Sequence, residues 1–204
     1  MGRHEGLRLA GMGAEAQHGG GTFELKAPSS GSNARVLTVP DTASGTVLTT
    51  TNPKSGNILQ VKQTFKQDTQ SITSSSTYSV IFGLGTTMTL SDASNKILIN
   101  LSISFAQSAN NYAAFRLYDG SSAITGAQST GAGGYDTSII RYVDTEMANS
   151  YLGLSFSYLY APGDTNAHTI DLYGNPFNTT LYINRSNNTQ YYNTSSMTLM
   201  EVAA

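Results

Sequence analysis

Three residues near position 168 could form part of a catalytic site. His168 is the only histidine outside the first 21 residues, and Asp164 and Asp171 lie within four positions of it. Because serine is abundant, a Ser-His-Asp arrangement for nucleophilic catalysis can be written from these residues. The sequence has no G-x-S-x-G motif to expose a nucleophile, and His168 follows a Pro-Gly-Asp turn, where a strand would ordinarily begin. We therefore predict that His168 is a structural residue.

Cleavage of a polysaccharide would need two carboxylates held at a fixed separation. Most acidic residues lie at predicted turns, where aspartate commonly caps the backbone. The glycine-rich loop between Asp119 and Asp136 lacks the ligand spacing of an EF-hand calcium site. We predict that the protein is not an enzyme and has no metal site and no cofactor; a carbohydrate-cleaving protein is the alternative. The candidate acids for that alternative are Asp68, Asp92, Asp119, Asp136, Asp144, Glu146, Asp164, Asp171 and Glu201.

Tyrosine and amide side chains are concentrated in residues 186–195, one of three predicted loops together with 119–136 and 161–167. Tyrosine rings stack on sugar rings, and amides form hydrogen bonds with hydroxyl groups. We predict that these loops bind a host-surface glycan. In the alternative interpretation, Tyr191 and Tyr192 pack at a subunit interface, and Asn187 and Asn188 form a turn. The predicted receptor-binding residues are Asn187, Asn188, Gln190, Tyr191, Tyr192 and Tyr135.

Two segments, residues 96–105 and 152–160, alternate apolar and polar residues almost throughout. A period of two is typical of a strand with one buried face. In the first segment we expect core positions at Ile97, Ile99, Leu101, Ile103 and Phe105. Further strands are predicted at 78–82, 86–90, 112–118, 138–143, 168–173, 180–184 and 196–202. Residues 57–65 are ambiguous, and we favour a strand. These strands, with no convincing helix, predict an all-β fold, a jelly-roll-like β-sandwich.

The chain is thinly charged, since 11 basic and 13 acidic residues among 204 give a net charge of −2. This balance excludes an electrostatic binder of nucleic acid. No apolar run reaches the ~18 residues that a membrane helix needs, and without cysteine there is no disulfide. The polar faces of the predicted strands carry Ser, Thr and Asn rather than the Lys and Glu that keep exposed strands soluble. Such faces suit burial against identical copies or contact with a neutral glycan.

Three zones differ in composition: residues 1–21, 22–54 and 55–204. The first is rich in Gly and Ala and lacks the apolar stretch of a signal peptide, so we expect no ordinary export. We interpret it as a flexible peptide that orders when docked on a virion, a disordered tail being the alternative. Residues 22–54 have short strand patterns but too few apolar residues for a core, and we interpret them as a stalk below a head domain. The predicted docking residues are Arg3, Leu7, Leu9 and Met12.

Short motifs in residues 22–204 resemble those of bacteriophage fibre proteins. They are FEL (23–25), RVLTVP (35–40), GTVL (45–48), GNILQV (56–61), SNKILI (94–99), LYINRS (181–186) and TLMEVAA (198–204). Together they are similar to the stalk and head of structural and fibre proteins of marine, especially cyanobacterial, tailed phages. The resemblance implies a homotrimeric virion component with a β-rich stalk and a jelly-roll-like head, assembled in the host cytoplasm.

The resemblance leads to two hypotheses about function. In the first, the protein is a short trimeric tail fibre or spike that docks on other virion proteins and attaches to the host surface. In the second, it is a capsid decoration or head-fibre protein with the same trimeric fold and no receptor role. Tail fibres usually carry a long N-terminal attachment domain, and here only residues 1–21 could serve, so both tail and capsid remain open. Neither hypothesis involves nucleic acid or membrane insertion.

Overall fold

The computed structural model describes residues 54–73, 77–109, 112–129, 140–143, 150–186 and 192–204. They fall in one compact unit, and within them the only helical element is a 3-10 turn at Thr125–Ala127. None of their elements is a helix long and apolar enough to cross a bilayer. The strands are β1 (Ile58–Lys66), β2 (Gln70–Thr73), β3 (Ser79–Val80), β4 (Thr86–Thr89), β5 (Lys96–Gln107), β6 (Tyr112–Asp119), β7 (Ser122–Ala123), β8 (Ile140–Val143), β9 (Leu152–Tyr160), β10 (Ala167–Asn175), β11 (Thr180–Ile183) and β12 (Ser195–Val202).

The first sheet is built around β5, which is hydrogen-bonded along both of its edges. One edge pairs with β9 over residues 97–105 of β5. The other edge pairs with β12 over residues 96–102 and then with β11 over residues 105–107. Beyond these, β1 pairs with β12 and β2 pairs with β11. All of these pairs are antiparallel. The sheet is four strands wide: β9 lies at one edge, β5 is next, β12 and β11 follow end to end, and β1 and β2 lie end to end at the other edge.

The second sheet is organised in the same way around β10 and β6, which pair with each other. Strands β4 and β3 follow one another along the other edge of β10. Strands β7 and β8 pair with the other edge of β6. Each sheet therefore has one face for a core and one face directed away from it, as alternation of side chains requires.

The core lies between the two sheets. On β5 every second side chain is buried, including the predicted core set Ile97, Ile99, Leu101, Ile103 and Phe105. Phe105 meets Phe115 of the second sheet edge to face, with ring centroids 4.9 Å apart. Full burial of a side chain of this size contributes about 1.5–3 kcal/mol, so this strand supplies a large part of the stabilising burial. Two antiparallel sheets packed on a shared core form a β-sandwich.

The sequence predicted most of the strands, with errors at short or polar elements. The ambiguous segment 57–65 is strand β1, as favoured. The predicted strand 78–82 is reduced to Ser79–Val80, because residues 81–85 form a turn and an irregular segment. Strands β2 and β7 were not predicted; both are short and almost without apolar residues. The predicted stalk, apart from Lys54, and the docking residues Arg3, Leu7, Leu9 and Met12 lie outside the described residues.

The buried carboxylate of Glu201 links strands β12 and β1 to the turn before β5. Glu201 on β12 is 1% exposed and accepts hydrogen bonds from Ser91 N (2.7 Å), Ser91 Oγ (2.6 Å), Asn95 Nδ2 (2.7 Å) and Gln60 Nε2 (2.6 Å). Burial raises the pKa of Glu201, but the hydrogen bonds from Ser91, Gln60 and Asn95 outweigh that effect and hold the pKa below its ordinary 4.5. The ionised carboxylate therefore joins β12 to β1 and to the turn before β5.

We expect Glu201→Gln to destabilise the fold by about 2–3 kcal/mol, because one carboxylate oxygen becomes an amide donor facing other donors. Since the pKa of Glu201 is lower in the folded state, its contribution is present above the unfolded pKa and is lost as pH falls through the folded pKa. Urea unfolding of both proteins from neutral to acidic pH measures this, and their difference should shrink at acidic pH.

The matched control is Asp92→Asn, which alters an exposed carboxylate that accepts hydrogen bonds from Ser94 within a local turn. We expect it to cost less than about 1 kcal/mol. Equal stability of Glu201→Gln and the unaltered protein at neutral pH would show that the Glu201 hydrogen bonds do not hold the strands.

Candidate functional site

Asn184 fixes the backbone at the end of the first sheet that includes β11 and β2. It directly follows β11, is fully buried and has φ of +59°, a left-handed conformation that asparagine tolerates better than most residues. Its Nδ2 donates to Lys66 O (2.8 Å) and Asp68 O (3.0 Å), and its Oδ1 accepts from Ser195 Oγ (2.6 Å). One side chain thus joins β11 to the segment between β1 and β2 and to the start of β12.

Arg185 directly follows Asn184 and is held above the outer face of this sheet. Its guanidinium carbon lies 4.1 Å from the ring centroid of Tyr182 on β11, in cation–π contact. Its Nη2 donates to Ser71 Oγ on β2 at 2.7 Å, and Ser71 is the cross-strand neighbour of Tyr182. No Asp or Glu in the described part of the chain forms an ion pair with Arg185. The guanidinium therefore has no acidic ion-pair partner among those residues.

Tyr192 and Asn193 complete this surface. A backbone bridge joins Tyr192 to Arg185, and the Tyr192 side chain is 66% exposed. Asn193 is exposed and donates from Nδ2 to Ser104 Oγ at 3.0 Å. We call these five residues, Ser71, Tyr182, Arg185, Tyr192 and Asn193, the distal corner. It combines an exposed phenol ring, a stacked guanidinium, hydroxyls and an amide, groups that bind sugar hydroxyls and anionic substituents.

Of the predicted receptor-binding residues, the structure describes Tyr192, which lies in the distal corner. The remaining five, Asn187, Asn188, Gln190, Tyr191 and Tyr135, lie outside the described residues and stay predictions. Sequence reasoning missed the roles of Arg185 and Ser71, which are 114 positions apart. The available signal was the LYINRS motif, in which a strand ends at an asparagine that is followed at once by an arginine.

His168 lies at the start of β10 in a different cluster, between two carboxylates. Its Nδ1 is 2.7 Å from Asp119 Oδ2, and Nδ1 carries the proton when that carboxylate is ionised. Its Nε2 lies 3.2 Å from Asp164 Oδ1, an ion-pair distance without hydrogen-bond geometry. Tyr160 Oη donates to the same Asp119 oxygen at 3.0 Å. No serine or threonine of the described residues forms a hydrogen bond with His168, so this part of the chain shows no nucleophile for it.

Of the two aspartates that flank His168 in sequence, Asp164 lies near its ring and Asp171 does not. Asp171 lies on the outer face of the second sheet, opposite Tyr118, because it is an odd number of residues from inward-facing His168. Its place beside the imidazole is taken by Asp119 of β6, which is 49 positions away in sequence. No set of three His, Cys, Asp or Glu among the described residues is arranged to hold a metal ion.

Comparison with known proteins finds structural neighbours among virus structures. No protein-family model matches the chain, and no curated protein sequence matches it. Structures of infectious bursal disease virus superpose at 10% identity: the Gx strain with a TM-score of 0.36 over 84% of this chain, and the Gt strain with 0.37 over 87%. The chain spans less than half of those proteins, 43% and 45% of their lengths.

The Asp119 assignment can be tested through Tyr160. Burial, the hydrogen bond to Asp119 and the charge of Asp119 together raise the pKa of Tyr160 to about 12, above the ordinary 10.0. We expect Asp119→Asn to lower the pKa of Tyr160 part of the way back, because burial, the largest cause, remains. Carbon-13 NMR of labelled tyrosine measures the titration. Asp171→Asn is the control and should leave the pKa of Tyr160 unchanged. If Asp171→Asn lowers that pKa and Asp119→Asn does not, the assignment of Asp119 to this cluster is wrong.

Proposed function

We propose that the chain is a non-enzymatic structural protein of a bacteriophage virion, a short homotrimeric tail fibre or spike that attaches to the host surface. The motif resemblance supports a phage fibre protein, and the two-sheet sandwich suits a compact head. The observation that carries the proposal is an arrangement within the first sheet. The distal corner and the point where residues 1–53 join the described chain lie at opposite ends of β5.

The strand registers define these two ends. At one end of β5, Lys96 pairs with Val202, and Val202 pairs with Ile58, four residues after Lys54. At the other end, Gln107 pairs with Leu181, next to Tyr182 of the distal corner. β5 has 12 residues and therefore spans about 35–40 Å. The junction with residues 1–53 and the distal corner are therefore separated by about the length of β5.

The chemistry of the distal corner favours a glycan that carries acidic groups. Arginine donates in a planar fork that matches carboxylate, sulfate or phosphate groups, and an exposed tyrosine ring stacks on a sugar ring. Each corner is small, so one site would bind weakly. In a homotrimer three copies would act together, and avidity could raise the overall affinity by about 10²-fold or more.

A capsid decoration or head-fibre protein of the same trimeric fold is the second candidate. It is favoured by the contacts that Arg185 already makes with Tyr182 and Ser71, since an arginine so engaged can serve the fold alone. Electron microscopy of intact particles with this chain labelled separates the two candidates. We expect the label on the tail; a label confined to the capsid surface would favour the second candidate.

Receptor binding is tested with the full chain on an array of neutral, carboxylated and sulfated glycans. We expect retention on acidic glycans, and Arg185→Gln should weaken it about tenfold or more, because a charge-assisted hydrogen bond is worth about 1.5–3 kcal/mol. Tyr192→Ala should weaken it as well, through loss of the stacking ring.

The matched control is Arg116→Gln. The Arg116 guanidinium also lies over a tyrosine, 4.0 Å from the ring centroid of Tyr78, but on the second sheet. We expect this variant to retain glycan binding. Absence of binding to every glycan, or equal loss in the Arg185 and Arg116 variants, would remove the distal corner as a receptor site.

A further inference from the structure

The outer face of the first sheet carries an apolar row that crosses all four strands. The cross-strand pairs Val61↔Met200, Met200↔Leu98 and Leu98↔Leu159 place one apolar side chain of each strand at the same level. On β5 and β12 these side chains point away from the core, because their neighbours along the strand fill it. Val61 and Leu159 lie on the same face, because they pair with Met200 and Leu98. Val61 is 57% exposed and Leu159 is 45% exposed. The row is therefore an apolar stripe open to solvent across the sheet.

The next two rows on this face are uncharged. One consists of Gln63, Thr198, Asn100 and Ser157, and the other of Phe65, Ser196, Ser102 and Ser155. In the first, Gln63 Nε2 donates to Thr198 Oγ1 at 2.7 Å, and Ser157 Oγ donates to Asn100 Oδ1 at 2.6 Å. In the second, Phe65 is 59% exposed. We call the three rows together the row face; its twelve positions include no charged residue.

A sheet face of this composition is unusual for a surface in water. Proteins ordinarily place charge on exposed strands, and large open apolar patches mark interaction sites. The described residues include six large exposed hydrophobic side chains, and Val61, Phe65 and Leu159 belong to the row face. The remaining three are Ile58, Phe82 and Tyr192. Half of this exposed apolar set is thus gathered on one side of one sheet.

We infer that the row face packs against the row faces of other copies of this chain. This deepens the proposed function, which requires a homotrimer, by assigning the surface that forms it. The face is complementary to itself, because apolar rows can meet apolar rows, and hydroxyls and amides both donate and accept hydrogen bonds. A partner with a charged surface would lose the hydration of its charges there and gain no counter-charge.

The row face is small, and its position agrees with other copies of this chain as its occupants. Its three rows cover residues 98–102 of β5 and four strands about 5 Å apart, so it measures about 15–20 Å in each direction and roughly 300–400 Å². This is about half of the ~800 Å² per partner that stable complexes bury, so the row face would form the centre of the interface. The apolar row lies toward the end of β5 at which Val202 pairs with Ile58. Around a threefold axis parallel to β5, Val61 of one copy would approach Leu159 of the next, and three rows would close an apolar ring.

The test is the mass of the full chain in solution, measured by sedimentation equilibrium at micromolar concentrations. We expect three times the 21.6 kDa of one chain. Val61→Lys and Leu159→Lys, each placing an unpaired charge in the apolar row, should weaken association about a hundredfold. Phe82→Lys is the matched control, since Phe82 is 66% exposed and lies outside the row face, and it should leave the trimer intact. Circular dichroism and thermal unfolding check that all three variants fold.

The outcomes separate the assigned face from the proposed function. If the chain is trimeric and both row variants remain trimeric, the assigned face is wrong and the trimeric fibre stands. If Phe82→Lys dissociates the trimer as readily as the row variants, the assigned face is also wrong. A monomeric chain overturns the face and the trimer together, while glycan binding by the distal corner is still decided by the array. A dimer that both row variants dissociate supports the face and overturns the trimer.

Discussion

The register of β5 is the constraint on which the other features of the protein depend. Its inward set, from Ile97 to Phe105, fills the core, and its outward residues Leu98, Asn100 and Ser102 lie at the centre of the row face. A slip of one residue in its pairing would exchange the two sets, placing Asn100 and the serines in the core. The strand is hydrogen-bonded along both edges, so its register also sets the levels of β9 and β12.

Two buried polar side chains hold that register at the two ends of the sheet. Glu201 joins β12 to β1 and to the turn before β5 at one end, and Asn184 joins β11, β12 and the β1–β2 connection at the other. A shift of either strand would leave a buried carboxylate or amide without partners, at a cost of about 1–3 kcal/mol or more. Because Asn184 also sets the backbone before Arg185, the same constraint positions the distal corner.

Alternation in the sequence predicted most of the local elements, but not the contacts between them. Strands β5 and β9 and the core set of β5 follow from a period of two, and the same pattern gave the all-β class. The partner of His168 could not be found from nearness in sequence, because the closest carboxylate is that of Asp119 from another strand. The apolar row could not be predicted from the sequence either. Its four residues belong to four different strands, and only the strand register shows that they lie at the same level: Val61, Leu98, Leu159 and Met200.

The distribution of charged residues relates the two surfaces of the proposed trimer, the row face and the distal corner. Faces that lack Lys, Arg, Asp and Glu can be buried against each other without the cost of desolvating charges. Arg185 lies outside the row face, over the ring of Tyr182 at one end of the sheet. If β5 runs along the threefold axis, all three Arg185 guanidinium groups lie at the same end of the trimer. Self-association would then gather weak binding sites into one trivalent surface, so burial of the row face and avidity at the distal corner have the same structural origin.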